Sequence, residues 1–226
     1  MKKIFSLGLA TLLLLTSLCL LVSCGISESD ILGLWTYNGY YEDKKINHML
    51  EFRADGTYTY IYFINDEFDE CLYGEYEIKG NQIKLYDSYA ETYHGRAIVM
   101  SYEDGCVTGG AGTRIYDFQE GKKLSIDRDL AVLIAGNSPA IKKAVEDRNK
   151  LKSFVIMNED GMENGWDTYT VSKSDSYYHQ NEWEIELKSK ISGYDYYGDF
   201  VYNLNLTVIV YVSLTGSVDV FSVFIY

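Results

Sequence analysis

Three histidines, His48, His94 and His179, are the first place to look for chemistry in this chain. None belongs to an H-E-x-x-H pair, and no serine stands in a G-x-S-x-G elbow. Isolated histidines of this kind mark surface positions, so no catalytic group is assigned. Of the four cysteines, Cys19 and Cys24 fall in the opening apolar segment, which leaves Cys71 and Cys106. Two cysteines without C-x-x-C spacing do not make a zinc site, although an exported compartment would allow a disulfide between them. The acid-rich stretch Asn158-Glu159-Asp160-Gly161-Met162-Glu163-Asn164-Gly165-Trp166-Asp167 offers oxygen donors of the kind calcium takes. Its spacing is not that of an EF-hand loop, and a glycine-rich surface turn accounts for it as well. No metal or other cofactor is expected.

A second group of residues gains meaning only from its placement. Tyr40, Tyr41, Glu42, Asp43, Asp66, Glu67, Phe68, Asp69, Glu70, Tyr89, Glu91, Tyr93 and His94 mix aromatics with acids over three separate stretches. If one end of a fold gathers them, they make either a site for a cation, an amine or a sugar, or a solvated acidic rim. Tyr58 and Tyr60 alternate in Thr57-Tyr58-Thr59-Tyr60 and so share a strand face, where they either line a cavity or fill it.

The elements that would gather them are strands. The chain has 22 tyrosines, 19 glycines and one proline, which favours sheet joined by glycine turns. Strands are predicted near 33–41, 47–53, 57–64, 72–79, 82–87, 96–102, 113–118 and 123–128. Gly74, Tyr76 and Ile78 alternate with Glu75, Glu77 and Lys79, the period of a half-buried strand. Asp55-Gly56 and Gly80-Asn81 supply the positive φ of tight hairpins. Eight such strands remove their edges by closing into an up-and-down barrel. Alternate loops then share an end. Loops 42–46, 65–71, 89–95 and 119–122 form an open mouth, and turns 54–56, 80–81 and 103–112 a closed floor. Cys71 at the mouth and Cys106 at the floor would stand too far apart to bond, because bridged Cα atoms lie within about 7 Å.

Beyond the barrel, Leu130–Ala135 is an apolar run broken by Gly136-Asn137. Ser138 and Pro139 read as N-cap and first residue of a helix over 139–152, with Ile141, Ala144, Val145 and Leu151 as its apolar stripe. Trp183, Ile185, Leu187 and Ile191 alternate with acids and lysines. Phe200, Tyr202, Leu204, Leu206, Val208, Val210 and Val212 make a longer apolar face, and Leu214–Ser217 turns the chain into a last strand. Val208–Val212 and Val220–Tyr226 are apolar at nearly every position, so both sheet faces there are expected to be covered, with the helix as the nearest cover.

The amino-terminal segment is an address rather than structure. Lys2 and Lys3 precede an apolar run from Ile4 to Val22, the layout of a secretory signal. The run ends in Leu21-Val22-Ser23-Cys24-Gly25, which resembles the lipobox of bacterial lipoproteins. That resemblance implies cleavage before Cys24, fatty acylation of Cys24 and stable anchoring by several chains. Gly25 after the cysteine is compatible with outer-membrane sorting. A formal charge of −13 excludes nucleic acid as a partner and disfavours lying flat on anionic lipid.

Gly33-Leu34-Trp35, Phe52-Arg53-Ala54-Asp55-Gly56-Thr57-Tyr58 and Gly74-Glu75-Tyr76 together resemble the bacterial lipocalin-like lipoproteins, over residues 31–88 above all. The resemblance implies that Gly33 bends the first strand at the closed end and that Trp35 plugs the floor. It does not carry a ligand across.

The expected object is therefore all-β and mainly antiparallel: a lipocalin-like up-and-down barrel followed by a helix and a C-terminal antiparallel sheet. Residues 1–23 are the signal peptide, 24–30 the acylated tether, 31–129 the barrel and 130–226 the helix-plus-sheet region. The expected function is non-catalytic binding of a small molecule or glycan fragment at the barrel mouth of an envelope lipoprotein, through Tyr40, Tyr58, Tyr60, Tyr76, Tyr93 and His94. The alternative is an envelope protein with a filled barrel whose outer surface contacts another protein.

Overall fold

The computed structural model describes residues 25–88, 97–109, 113–158 and 165–226. A short helix α1 (Glu28–Ile31) leads into eight antiparallel strands: β1 (Gly33–Tyr41), β2 (Lys44–Phe52), β3 (Thr57–Ile64), β4 (Glu67–Lys79), β5 (Gln82–Asp87), β6 (Ile98–Glu103), β7 (Cys106–Gly109) and β8 (Arg114–Phe118). Each pairs with its neighbour, and Trp35 and Thr36 of β1 pair with Phe118 and Asp117 of β8, so the barrel is closed. The expected all-β, mainly antiparallel architecture is the one observed.

The eighth strand is not the one expected. Residues 123–128 form no strand; Leu124 and Ile126 instead anchor an extended connection with buried side chains. The missing strand is β7, hidden inside the segment read as one long turn. Asp104 and Gly105, both at positive φ, make a tight hairpin between β6 and β7. Four residues are too few to show an alternation, which is why β7 was not legible. The consequence is topological: 119–122 belongs with the floor turns rather than the mouth.

The sequence dictates how tight the ends are. Glu42-Asp43 and Asn65-Asp66 are two-residue turns with all four residues at positive φ. Asn and Asp tolerate this region better than most side chains. Gly33 enters β1 at φ +115. At Gly74 any Cβ would run into the Tyr86 carbonyl at 1.8 Å, so β4 and β5 approach as closely as they do only with glycine there.

Two helices follow. α2 (Arg128–Asn137) is capped by Asp127, which accepts from the Leu130 amide, so the run Leu130–Ala135 is itself helical. α3 (Pro139–Asp147) starts as expected, with Ser138 accepting from the Ala140 amide, but stops at Asp147 rather than 152. Leu151, read as helical, opens strand β9 (Leu151–Met157). Strands β10 (Thr168–Lys173), β11 (Trp183–Asp195), β12 (Phe200–Val212) and β13 (Val218–Ile225) complete a five-stranded antiparallel sheet. The order is β10-β11-β12-β13, with β9 pairing the far half of β11. Among the described residues no helix is long and apolar enough to cross a membrane.

Two cores result. Inside the barrel pack Trp35, Leu50, Phe52, Tyr58, Leu72, Ile83, Leu85, Met100, Val107 and Tyr116. The other core joins the outer wall of the barrel (Leu34, Ile61, with Met49, Phe63, Phe68 and Cys71) to α2, α3 and the inner face of the sheet. The helices cover that inner face, as expected. The expectation that the last strand is covered on both sides fails, because Phe221, Phe224 and Tyr226 are exposed.

Candidate functional site

The interior of the barrel is layered. At the floor, Trp35 lies buried beneath α1, and its Nε1–H donates to the Ile31 carbonyl at 2.7 Å. The Ile26 amide donates to Gly80 O, which lays the segment before α1 across the same end. Above the floor sits the apolar layer of Leu50, Phe52, Tyr58, Leu72, Ile83, Leu85 and Met100.

Above that layer is a polar cluster. His48, Tyr60 and Tyr116 meet there from β2, β3 and β8. Alternation aims His48 inward because it stands two residues before Leu50 and four before Phe52 on the same face. His48 is 1% exposed. The Tyr116 hydroxyl lies 2.7 Å and the Tyr60 hydroxyl 2.8 Å from His48 Nδ1. Nδ1 engages both phenols, with donor and acceptor roles set by the imidazole tautomer. Tyr62 stands edge-on to the imidazole at 4.5 Å, and Tyr37 packs against it at 5.3 Å. Tyr37 lies across Gly39, where an added Cβ would meet its hydroxyl at 2.2 Å.

Burial pushes the His48 imidazole down to about 4, with the positive charge of Arg114 adding to the effect. Burial likewise pushes Tyr116 up to about 12 and raises Tyr60. All three groups are therefore neutral near pH 7. Such a cluster can donate and accept hydrogen bonds.

The expected site residues are not brought together. Tyr60 is part of the cluster. Tyr58 faces the lumen one layer lower, fully buried, with a hydroxyl that has no hydrogen-bond partner among the described residues. Tyr76 is at the opposite end, its hydroxyl 2.9 Å from both the Arg53 carbonyl and Glu28 Oε1. Tyr40 is 75% exposed at the rim. Tyr93, His94 and Cys24 lie outside the described residues, as does the central part of the acid-rich stretch at 159–164. Asp167, at its end, accepts from the Lys190 amide.

His48 and Tyr116 were the residues that sequence reasoning missed. The lack of a motif places His48 at the surface, whereas its parity with Leu50 and Phe52 is the signal that turns it inward. Tyr116 carried no signal until the closure of β8 on β1 brought it across the lumen.

Of the rim acids, Asp66 has structural partners. Lys45 Nζ pairs with Asp66 at 2.7 Å, and Asn47 Nδ2 donates to the same carboxylate. Cys71 and Cys106 are both free thiols, and burial pushes Cys71 up to about 12. Among the described residues no group of three or more His, Cys, Asp or Glu side chains could hold a metal ion.

Two hollows lie outside the barrel. A crevice of about 350 Å³ runs between β4, the α2–α3 junction and the β12–β13 turn, lined by Phe68, Cys71, Ile134, Ser138 and Gly216. A more open groove of about 520 Å³ crosses the outer wall at Thr36, Asn38, Asn47, Met49, Phe63 and Gln119. Comparison with protein families, with curated proteins and with solved structures finds no match for this chain.

Proposed function

We propose that this chain is an exported bacterial lipoprotein, held in the cell envelope, at the outer membrane, by acyl chains on Cys24. In this reading it acts without catalysis, by contact through its surface, with the barrel as a filled scaffold. The observation that carries the reading is the barrel interior: ten close-packed side chains occupy it from Trp35 up to Tyr116. Small barrels of eight strands either pack themselves with side chains or hold one small ligand, and the packing here supports the first. The short segment between Cys24 and α1 would moor the floor end toward the membrane and leave the mouth facing away.

The test is uptake of a fluorescent apolar probe by the purified protein. A filled barrel gives no saturable enhancement; saturable uptake abolished by Leu72→Trp would overturn the reading. Replacing Cys24 with serine should move the protein into the soluble fraction, and retention in the membrane would refute the anchor.

A second reading is favoured by the His48–Tyr60–Tyr116 cluster. A small polar molecule or glycan fragment could bind at the mouth, hydrogen-bonding to these groups and stacking on Tyr37 or Tyr62. Native mass spectrometry of the delipidated protein separates the two, since only the second leaves a small molecule bound.

A further inference from the structure

The first three barrel strands carry a second set of side chains, on the outside. Tyr37 and His48 meet inside the lumen, so alternation turns Thr36, Asn38, Asn47 and Met49 outward. Asn38 stands opposite Asn47 across β1 and β2, and Asn47 stands opposite Phe63 across β2 and β3. Two residues along, Thr36 stands opposite Met49. These rungs line the outer groove of about 520 Å³, together with Gln119 and Asp66. Its size falls within the range of small-molecule sites.

The polar groups of the groove are fixed by the protein itself. The Gln119 backbone amide donates to Leu34 O at 2.8 Å. Its side-chain Nε2 donates to the Thr36 hydroxyl at 3.0 Å, and its Oε1 accepts from Lys122 Nζ at 3.1 Å. Asn47 Nδ2 donates to Asp66 at 2.8 Å. Hydrogen-bonding capacity is nevertheless left over. The Thr36 hydroxyl hydrogen is free to donate, and the exposed Asn38 amide has no hydrogen-bond partner among the described residues. Asn47 Oδ1 is buried and likewise unpartnered among the described residues. A buried acceptor left in this way calls for a donor from outside the chain. Phe63 and Met49 supply the apolar part of the lining, and the Phe63 ring is held edge-on to Phe68 at 6.1 Å.

Charge narrows the ligand. Asp66 is the single carboxylate on the lining, and Lys45 neutralises it at 2.7 Å. No lysine or arginine lines the groove, so an anion finds no counter-charge there, and the chain as a whole carries −13. Neutral amides and a hydroxyl in fixed directions beside one aromatic ring match a molecule with many hydroxyls and an apolar ring face. We propose that this groove binds a neutral oligosaccharide, with one hexose lying against Phe63 and its hydroxyls bonding to Thr36, Asn38 and Asn47. The proposal rests on the reading that the chain works through its outer surface around a filled barrel. Probe uptake tests the lumen and sugar binding tests the wall, so the two fail separately.

The experiment is nuclear magnetic resonance of the full chain in a detergent without a sugar headgroup, titrated with cellotriose, maltotriose and chitotriose. At least one of the three should give saturable shifts of the Asn38, Asn47 and Gln119 side-chain amides and of the Met49 methyl, with a dissociation constant of about 1 mM or below. Asn38→Ala should weaken that binding by about five- to tenfold. Asn38 is exposed, so the backbone amide spectrum of the variant should otherwise match the wild type. No saturable shift with any of the three sugars, shifts confined to lumen groups such as Tyr60 and Tyr116, or wild-type affinity in Asn38→Ala would each overturn the proposal.

Discussion

At the scale of single residues, His48 is the most informative group in the barrel. Its neighbours from every strand packed on it are Tyr37, Tyr60, Tyr62 and Tyr116, with the Arg114 charge acting from β8. The imidazole itself falls from an ordinary 6.5 to about 4 on folding. The unfolded chain therefore binds a proton through that window that the folded chain refuses, so stability declines as pH drops from about 6.5 toward about 4. A shift of this size corresponds to about 3 kcal/mol when complete. The thermal midpoint of the wild type should fall through this window more steeply than that of His48→Gln, which keeps a hydrogen-bonding side chain and cannot titrate. Parallel curves would mean that His48 is not held neutral by the fold.

At the scale of elements, the three tryptophans act as bolts. Trp35 donates to Ile31 O and fixes α1 under the barrel. Trp166 donates to Gly136 O and holds the end of α2. Trp183 donates to Ile126 O, tying the connection after the barrel to β11, and Lys173 Nζ lies 3.5 Å over its ring. In each case a large apolar body fills a core position while the indole N–H satisfies a carbonyl that no strand partner reaches. Trp35→Ala should cost about 3–5 kcal/mol in urea unfolding, because it removes both the floor of the core and the attachment of α1. A neutral result would remove Trp35 from the core. Alternation along β4 and β5 is readable because the buried residues of each, such as Leu72 and Gly74 or Ile83 and Leu85, recur at every second position. β7 and β10 are not, because short strands of mixed residues carry no period that separates them from turns.

At the scale of the whole molecule, the barrel and the C-terminal half share a core. Leu34 and Ile61 belong to the same buried cluster as Val132, Ile185 and Val208. Polar bonds reinforce the seam. Glu51 pairs with Arg53 at 2.9 Å and accepts from the Leu124 amide, while Arg53 and the Thr59 hydroxyl both donate to Thr215 O. Cutting the chain between the halves would expose the outer wall of the barrel and strand this nearly buried ion pair. Thermal unfolding of the intact chain should accordingly be one cooperative transition followed equally by near-UV and far-UV circular dichroism. Two separated transitions would show that the halves stand alone.

The sequence by itself determined the strand content, most turn positions and the cap at Ser138-Pro139. Each is a local property, set by alternation, by glycine and asparagine at positive φ, or by a run of apolar residues. Only the tertiary structure decided that β7 replaces the expected last strand of the barrel. It also decided that His48 faces inward among tyrosines rather than outward into water, and that β13 pairs with β12 alone among the described residues. Those outcomes depend on which strands become neighbours, and neighbours far apart in the chain leave no periodic trace in it.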